Sequence, residues 1–367
     1  MRILQISSAK NFGGGEKHFV DLCRGLSEKG HEIFIALRKE NDWQNRLDFL
    51  PNENIVHIPL RNSLDIFSAK SLANFMRENK IEIIHAHLAR DYPIASFAVR
   101  FYPKAKLILT RHVLFPMKSV HKFTLQNVSK IIAVSTAVEA NLQKTFPKEK
   151  IICIPNGIEI EKFANVNREE LGKEFRFLHN ISFGAKLIGT VGELKKLKGQ
   201  EDFVLAANEI AKTIPDAHFI MVGKDNSFDR NFRRKLKRLV KVFELEEKFT
   251  FLDWLEDTAP LLSALDLFVS PSHSESFGLA ILEAMANGNV IIATETAGAK
   301  ELLKDGFSGK LVPIENPVEL AKAVCEVLED SERIELFGKN AQKFAGENYS
   351  LEKMILETEK LYQTVSD

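Results

Sequence analysis

Short apolar runs rich in β-branched residues alternate with longer amphipathic segments along the whole chain. The runs have the length of strands and the segments between them have the length of helices, a pattern that predicts parallel sheets with helices on both faces. The strands fall into two series, and each series opens with a strand that leads into a glycine-containing turn, so we expect two doubly wound units in tandem. The predicted strands are residues 3–6, 32–37, 55–58, 83–86, 106–109 and 130–134 in the first series and 187–191, 218–222, 249–252, 267–269 and 290–293 in the second.

The join between the two units is predicted within residues 158–181, after the first series of strands. Pro155 fixes its own φ and Asn156-Gly157 supports positive φ, so these residues indicate a turn. A polar stretch, residues 165–175, then separates the two series. The predicted domains are therefore residues 1–165 and residues 166–349.

The last part of the chain, residues 350–367, is predicted to be a terminal helix. Ser350 is a suitable N-cap residue, because its hydroxyl can accept a hydrogen bond from an amide of the first turn. Apolar residues follow at helical spacing. They are Leu351, Met354, Ile355 and Leu361.

Composition narrows the classes of protein that fit. The 367 residues are 45% hydrophobic and 27% charged, the balance of an ordinary globular protein that is long enough for two domains. Lysine plus arginine and aspartate plus glutamate number 50 each, so the net charge argues against a general polyanion binder, and no nucleic-acid partner is expected. The three cysteines lie far apart and match neither a disulfide framework nor a zinc site.

The sequence carries no signal for export or membrane insertion. Its first apolar run is too short and too polar for a signal-peptide core, and no stretch approaches the ~20 apolar residues that span a bilayer, so a cytoplasmic protein is expected. Residues 111–130 mix basic and apolar side chains, and two interpretations stay open: a buried apolar stripe, or a segment that rests on the inner face of an anionic membrane. The residues that carry this pattern are Leu114, Phe115, Met117, Lys118, Val120, His121, Lys122, Phe123 and Lys130.

The segment most informative about chemistry follows the strand at 267–269. Glu275 precedes a helix that is predicted to begin near Phe277, and Glu283 lies two turns further along it. Free amides at a helix start can hold the oxygens of a diphosphate, while carboxylates accept hydrogen bonds from sugar and ribose hydroxyls. One segment thus offers groups for a sugar, a diphosphate and a ribose. The residues assigned to the donor here are Ser276, Phe277, Gly278, Leu279 and Glu283.

A second candidate lies in the glycine-rich turn after the first strand, Gly13-Gly14-Gly15. The absence of Cβ atoms lets the backbone approach a phosphate or a sugar, so Gly14 and Gly15 are assigned to donor binding. The spacing differs from the G-x-G-x-x-G fingerprint of a dinucleotide site.

Taken together, these segments resemble glycosyltransferase family 4, a large retaining group with the GT-B fold. Glu275 and Glu283, with seven residues between them, match the E-x7-E motif of that family, and the resemblance extends over essentially the whole chain. The other matching segments are Gly13-Gly14-Gly15-Glu16, Val134-Ser135, Ile154-Pro155-Asn156-Gly157-Ile158, and Ala297-Gly298-Ala299-Lys300-Glu301 followed by Gly306, Gly309 and Leu311-Val312.

The resemblance implies roles for residues outside that motif. Lys198 matches a lysine that neutralises the donor diphosphate, and His112 matches an active-site histidine that contacts the donor sugar. With Glu275, these two residues are expected to act in catalysis. For His85 and His87 a structural role is expected, with one of them able to line the same site.

Glu193 departs from the family pattern. It is assigned to the donor site, but it stands where the family has an arginine, so the usual pair of cations is in doubt. Lys195 and Lys196 are the candidates to replace that arginine, with a solvated charged loop as the equally weighted alternative.

The resemblance also implies the architecture and the reaction. Two Rossmann-like, doubly wound α/β domains would face a central cleft, the first binding the acceptor and the second the nucleotide sugar, and the C-terminal helix would pack back on the N-terminal domain. The expected reaction moves a hexose-type sugar, with retention, from a nucleotide diphosphate donor, with UDP favoured, to a glycan or lipid-linked acceptor in the synthesis of bacterial cell-surface polysaccharide or lipopolysaccharide. No metal ion or other cofactor is expected to be required.

Three rival functions stay open at this point. A nucleotide-sugar epimerase has a similar two-domain fold. An NAD-dependent oxidoreductase explains the alternating strands and helices but lacks its glycine fingerprint here. A non-catalytic nucleotide-sugar binding protein is favoured by Glu193.

Overall fold

The computed structural model describes residues 1–117 and 120–366. These residues divide into two compact units: Met1–Gly157 with the C-terminal segment from Leu351, and Ile158–Ser350. The change of unit lies directly after Gly157, whereas the sequence analysis put the boundary at residue 165. The intervening residues belong to the second unit, because Ile158 forms an isolated bridge with Ser350 and Phe163 is buried.

The first unit contains a parallel sheet of seven strands within the described residues, in the order β3-β2-β1-β4-β5-β6-β7. α-Helices connect the successive strands except β2 and β3, which are joined by a segment with two short 3₁₀ helices, Gln44–Leu47 and Asn52–Asn54. The strands are β1 (Arg2–Ser7), β2 (Glu32–Leu37), β3 (Ile55–His57), β4 (Ile83–Ala86), β5 (Lys106–Arg111), β6 (Val128–Ala133) and β7 (Ile151–Cys153), and the helices are α1 (Gly14–Glu28), α2 (Ile66–Glu78), α3 (Tyr92–Phe101), α4 (Val120–Thr124) and α5 (Thr136–Leu142).

The second unit repeats this plan with six parallel strands in the order β10-β9-β8-β11-β12-β13. The strands are β8 (Lys186–Val191), β9 (Ala217–Val222), β10 (Phe249–Leu252), β11 (Leu267–Ser270), β12 (Ile291–Thr294) and β13 (Lys310–Val312). The helices are α6 (Glu161–Ala164), α7 (Arg168–Leu178), α8 (Gln200–Thr213), α9 (Asn231–Val242), α10 (Ala259–Ala264), α11 (Leu279–Ala286), α12 (Ala297–Leu302), α13 (Pro317–Leu328) and α14 (Ser331–Asn348).

Each unit has its own apolar core. The central strands are buried along nearly their whole length, as expected for parallel sheets covered by helices on both faces. In β1 every residue after Arg2 is buried, and in β11 every residue is buried. Several helices begin at a side-chain cap that the sequence encodes, such as Asp65 before α2 and Ser135 before α5.

Every predicted strand is present, and the fold class is confirmed as two doubly wound α/β units. Two strands, β7 and β13, were not predicted. Each has three residues and lies at an edge of its sheet, so it is too short to show a periodic pattern.

The predicted terminal helix is confirmed as α15 (Leu351–Ser366), which packs on α1 in the first unit. The two helices touch at Gly25, where an added Cβ atom would lie 2.0 Å from Cδ1 of Ile355. Oε1 of Glu359 lies 2.8 Å from Nε2 of His31, and Oε2 of Glu359 forms an ion pair with Nζ of Lys29 at 3.6 Å. Tyr362, near the end of α15, is fully buried.

Within residues 1–117 and 120–366, no helix combines the length and the apolar character needed to cross a lipid bilayer.

Candidate active site

The strand order of the second sheet reverses between β8 and β11, and the loops after these strands lie side by side. Open α/β sheets bind ligands at such a switch point, beyond the carboxyl ends of the strands. The amide of His273 donates to the carbonyl oxygen of Leu197 at 2.9 Å, which ties the two loops together. Gly199 has φ +65°, and a Cβ atom there would lie 1.8 Å from the carbonyl oxygen of Pro271. Glycine therefore permits an approach that any side chain would prevent.

These loops bring Lys198 and Glu275 into contact. Nζ of Lys198 donates a hydrogen bond to Oε1 of Glu275, and the hydroxyl of Ser272 lies 3.4 Å from the same oxygen. The Lys198 and Glu275 side chains are 23% and 15% exposed, so solvent screens the pair only in part. A cation and a carboxylate are thus held together next to the segment that leads into α11.

Helix α11 begins at Leu279, and Gly278 is its N-cap residue with φ +104°. The helix thus begins two residues after Phe277, near which its start was predicted. Phe277 lies before the helix, and its buried ring stacks edge-on against Tyr349 with centroids 5.6 Å apart. Its side chain therefore belongs to the core, and the unpaired amides of the first helical turn begin at Leu279. Ser276 is half-buried in the loop before the helix.

Glu283 lies on α11 and is buried, with 8% of the residue exposed. Its Oε2 atom accepts a hydrogen bond from the hydroxyl of Thr258 at 2.9 Å. This contact holds the carboxylate toward the loop between β10 and α10, at the same end of the sheet as Glu275.

Glu193, on the loop after β8, is exposed and is surrounded by donors. Lys195 contacts its Oε2 at 2.6 Å and the side-chain amide of Asn226 contacts its Oε1 at 3.1 Å. Burial alone would raise the pKa of Glu193, but these hydrogen bonds and the charges of Lys195 and Lys198 outweigh it and lower that pKa. Glu193 is therefore an anion neutralised by Lys195, and it leaves Lys198 to pair with Glu275.

The first sheet has its own switch point, between β1 and β4. Helix α1 begins there at Gly14, with Gly13 as N-cap. Gly14 is exposed, and a Cβ atom built on Gly15 would meet nothing within 4 Å. Protein packing therefore does not demand glycine at position 15, which leaves room for a ligand beside the backbone.

A group of histidines gathers at this switch point: His18 on α1, His87 after β4 and His112 after β5. The ring centroid of His18 lies 4.8 Å from that of His112 and 5.8 Å from that of His87, and the His87 and His112 centroids are 5.8 Å apart. Burial lowers the pKa of His18 to about 4. Desolvation and the neighbouring histidines also hold the pKa values of His87 and His112 well below the ordinary range, although His112 keeps part of its surface exposed. The three imidazoles are therefore neutral at pH 7.

A buried hydrogen-bond chain fixes one of these rings. Nε2 of His87 donates to Oε1 of Gln5 at 2.8 Å, and the amide nitrogen of Gln5 donates to the hydroxyl of Tyr362 at 3.1 Å. That hydroxyl lies 2.6 Å from Nδ1 of His85, whose Nε2 lies 2.7 Å from the hydroxyl of Thr110. The structural role expected for His85 is confirmed, and His87 is oriented through Gln5 from the C-terminal helix.

His18, Gln5 and Tyr362 are not indicated by any sequence pattern. His18 stands in an amphipathic helix and Gln5 in an apolar strand, where single polar residues carry no pattern of their own. Tyr362 is distant along the chain, and only the return of α15 to the first unit brings it to His85.

The predicted site residues thus form two groups. Glu193, Lys198, Glu275 and Glu283 lie at the carboxyl ends of the second sheet, with Lys198 and Glu275 in direct contact. Gly14, Gly15 and His112 lie at the carboxyl ends of the first sheet. Their sequence-assigned parts in catalysis and donor binding stay predictions.

Residues 111–130 are described except for Lys118 and Ser119, so the prediction made for Lys118 lies outside the described residues. Phe115 and Phe123 are 62% and 71% exposed, whereas Leu125 is buried. Arg111 is buried and donates to the carbonyl oxygen of Phe115. A stripe that is buried throughout does not describe this segment, because its two phenylalanines face solvent.

Comparison with known proteins agrees with this architecture. The family described as Glycosyltransferase Family 4 matches residues 12–162, and the family described as Glycosyl transferases group 1 matches residues 173–344. The two matches fall on the first and second units, one on each.

Two curated relatives illustrate the range of similar proteins. The chain is 25% identical to N-acetyl-alpha-D-glucosaminyl L-malate synthase of Bacillus anthracis, covering 98% of this chain and 96% of the relative. It is 26% identical to the UDP-Gal:alpha-D-GlcNAc-diphosphoundecaprenol alpha-1,3-galactosyltransferase of Escherichia coli, covering 81% and 79%. Among solved structures, Anabaena HepE in complex with UDP is similar with a TM-score of 0.87 and 20% identity, covering 99% of this chain and 100% of HepE.

The paired doubly wound units and these matches define the class: the chain is a glycosyltransferase with the GT-B fold. Within that class the matches to its two units support a glycosyltransferase of the family 4 type.

Proposed function

We propose that this glycosyltransferase moves a hexose-type sugar from a UDP-sugar to a glycan or lipid-linked acceptor, with retention of anomeric configuration and without a metal ion. The observation that carries the proposal is the pairing of Lys198 with Glu275 beside the N-terminus of α11, at the switch point of the second sheet. A cation, a carboxylate and first-turn amides at one place suit the diphosphate and sugar of such a donor.

Lys198 is proposed to stabilise the leaving group. When the bond between the sugar and the diphosphate breaks, negative charge grows on the β-phosphate, and a cation held in a partly buried site stabilises that charge. The amides of the α11 first turn, from Leu279, supply further hydrogen-bond donors. These groups supply the charge stabilisation that a bound metal ion provides in other enzymes.

Glu275 and Glu283 are proposed to hold the two ends of the donor. Glu275 would accept hydrogen bonds from sugar hydroxyls, and Glu283, held by Thr258 at 2.9 Å, would accept them from the ribose. His112 is proposed to contact the donor sugar. With front-face attack, the acceptor oxygen forms the new bond on the side that the diphosphate leaves, and a phosphate oxygen of the donor takes the acceptor proton.

Support for UDP and for a lipid-linked acceptor comes from the relatives and from the surface of the first unit. HepE is solved with UDP, and the Escherichia coli relative is named for UDP-Gal and a diphosphoundecaprenol acceptor. Phe115 and Phe123 are 62% and 71% exposed in a segment with basic residues, which suits contact with the inner face of an anionic membrane.

A non-catalytic nucleotide-sugar binding protein is the second candidate, because Glu193 replaces an arginine. The contact between Glu193 and Lys195 at 2.6 Å weakens that argument, since it cancels the misplaced charge locally. Slow hydrolysis of the bound donor would exclude this candidate.

The test is thermal-shift screening with UDP-, GDP- and ADP-sugars, with NADH as the control ligand. A specific donor stabilises the folded protein by about 2.7 kcal/mol at one hundred times its Kd, and we expect this from a UDP-sugar but not from NADH. The Glu275→Ala variant should fold and lose most donor turnover, and the product anomer, followed by NMR with and without EDTA, should match the donor anomer in both cases. Full turnover by Glu275→Ala would remove that residue from the site, and conversion of the donor into an epimer without acceptor would replace the proposal by an epimerase.

A further inference from the structure

The histidines at the switch point of the first sheet leave buried nitrogen atoms without partners. Neither ring nitrogen of His18 has a hydrogen-bond partner among the described residues, although the residue is only 6% exposed. Nδ1 of His87, a residue 4% exposed, is in the same situation. A buried polar atom without a partner costs about 1–3 kcal/mol, so the two rings call for a ligand that would use a nitrogen of each.

The hydrogen-bond chain from α15 determines which nitrogen of His87 is available. The side-chain oxygen of Gln5 can only accept, so Nε2 of His87 carries the proton and Nδ1 carries the lone pair. A histidine whose far nitrogen donates to a carbonyl oxygen while its near nitrogen stays deprotonated has the arrangement found in metal-binding histidines. Gln5 therefore prepares His87 to act as a ligand.

The third imidazole completes the group. One ring nitrogen from each of His18, His87 and His112 can be chosen so that the three lie within 4.8 Å of one another. Among the described residues this is the one group of three histidine, cysteine or acidic side chains with such spacing. Nitrogen atoms bound to a tetrahedral zinc ion lie about 3.3 Å apart, so the rings would have to draw together by up to about 1.5 Å.

We propose that His18, His87 and His112 form a binding site for a divalent transition-metal ion of the zinc class. Three neutral imidazoles and an open fourth position suit Zn²⁺, Co²⁺, Ni²⁺ or Cu²⁺, whereas Mg²⁺ and Ca²⁺ require oxygen ligands. The site differs from the Lys198 and Glu275 pair in location and in chemistry. Its metal is not a cofactor of sugar transfer, because it would occupy His112.

Occupation of the site is expected to inhibit the enzyme. An imidazole that ligates a metal ion cannot also contact the donor sugar, so metal and productive donor binding would exclude each other at His112. This consequence rests on the proposed function of His112, whereas metal binding itself does not.

The test of binding uses the full chain, treated with chelator, desalted and titrated with CoCl₂. Tetrahedral Co²⁺ gives an intense visible absorption, and we expect it to saturate at about one equivalent and to disappear when ZnCl₂ is added. MgCl₂ should leave it unchanged. Absence of the visible band and of any zinc competition in the unaltered protein would overturn the proposal.

The key variant is His18→Phe. Because both nitrogens of His18 lack partners, a phenyl ring of similar shape removes a ligand without stranding another polar group, and the variant should melt at or above the temperature of the unaltered protein. Its affinity for Co²⁺ should fall by about 100-fold or more, since even the loss of an outer hydrogen bond to a ligand costs 10–100-fold. His18→Leu serves as the second variant if the larger ring distorts the helix.

The matched control is His57→Gln, which removes an exposed imidazole in the same unit that lies 2.8 Å from Gln44. It should bind Co²⁺ as the unaltered protein does, and equal affinity in His18→Phe and His57→Gln would refute the assignment of His18. In a separate assay, ZnCl₂ should inhibit donor turnover by the unaltered protein and not by His18→Phe. If the visible band follows this pattern while turnover is indifferent to zinc, the metal site stands and the role of His112 in sugar transfer fails.

Discussion

The two sheets present different chemistry at equivalent switch points. At the second sheet the polar side chains are charged and paired: Lys198 with Glu275, and Lys195 with Glu193. At the first sheet three neutral imidazoles, those of His18, His87 and His112, lie together, and His18 has no hydrogen-bond partner among the described residues. Both switch points arise from the same reversal of strand order and the same strand–glycine–helix connection, so topology does not account for the difference.

The difference shows how the residues after a strand decide what a common fold can bind. An anionic diphosphate needs a cation whose charge is already compensated before the ligand arrives, and the carboxylate of Glu275 supplies that compensation to Lys198. Neutral imidazoles held in a buried group offer lone pairs and donors without net charge. The switch point of the second sheet therefore suits a charged ligand, and we call it the charged edge. The switch point of the first sheet suits neutral hydrogen bonding or metal coordination, and we call it the neutral edge.

The largest expected effect comes from removing the cation of the charged edge. Lys198→Met should lower donor turnover by about 10²–10³-fold, because it removes a charge that acts on the leaving group, an effect of about 3–4 kcal/mol. Lys195→Met is the matched control, since Lys195 is bound to Glu193 at 2.6 Å and its side chain is 47% exposed. It should lower turnover by less than tenfold, roughly, by the weak energetics of exposed ion pairs.

Steady-state turnover of both variants at saturating donor separates the two lysines. An equal loss in both would mean that the loop acts as a diffuse basic surface, and the contrast between a specific charged edge and a neutral edge would lose its basis.

The fold could be predicted because strand pattern and topology are linked. Apolar runs of strand length alternate with helices, and parallel pairing of such strands requires crossover helices. The strands β7 and β13 were not predicted, because three residues give little pattern, whereas β3, of the same length, was predicted as part of the run 55–58. The turn at Asn156-Gly157 indicated the join, but the domain bound was set at residue 165, because the burial of Phe163 in the second unit does not show in polarity along the chain.

Some residues of the candidate site could be predicted from motifs, whereas the contacts between them, and the role of His18, became visible only in the structure. Lys198 and Glu275 were both named from the sequence, but their contact depends on Gly199 letting one loop reach the other. Phe277 was assigned to the donor site, but its ring is buried in the structure and the helix begins two residues after it. His18 could not be found from the sequence, since its significance comes from rings on two other elements.

The second prediction tests whether the charged edge depends on the closeness of its loops. Gly199→Ala combines a left-handed backbone with a Cβ atom 1.8 Å from the carbonyl oxygen of Pro271, and it should reduce the free energy of unfolding by about 3 kcal/mol. Gly306→Ala is the control, because Gly306 has φ +71° but open space around its Cβ position. It should cost only about 1 kcal/mol.

Urea denaturation measures both changes, and turnover reports the geometry at Lys198. We expect Gly199→Ala to lose activity beyond what its stability predicts, because a shift of Pro271 separates Lys198 from Glu275. Equal destabilisation by the two substitutions would show that backbone conformation alone, and not loop contact, sets the position of the charged edge.

The smallest expected effect concerns Asp91, a buried carboxyl group at the carboxyl ends of the first sheet. Asp91 lies before α3 and accepts a hydrogen bond from the amide of Ser8 at 2.8 Å. Burial raises its pKa to about 6, against the lowering effect of the Ser8 hydrogen bonds and of Arg90 and Arg38. Between the ordinary pKa of an aspartate and about pH 6, the folded protein therefore holds a proton on Asp91 that the unfolded chain has released.

The sign of the pH dependence follows from that difference. A carboxyl group whose pKa is raised on folding favours the folded state at low pH, and this contribution is lost as the pH rises through about 6. The free energy of unfolding of the unaltered protein, minus that of Asp91→Asn, should fall by about 2 kcal/mol between about pH 4 and pH 8. The amide of Asn keeps an acceptor for Ser8 and cannot ionise, so urea denaturation of both proteins across that range isolates the contribution of Asp91. A difference that is constant with pH would contradict the prediction, because it would mean that folding does not raise the pKa of Asp91.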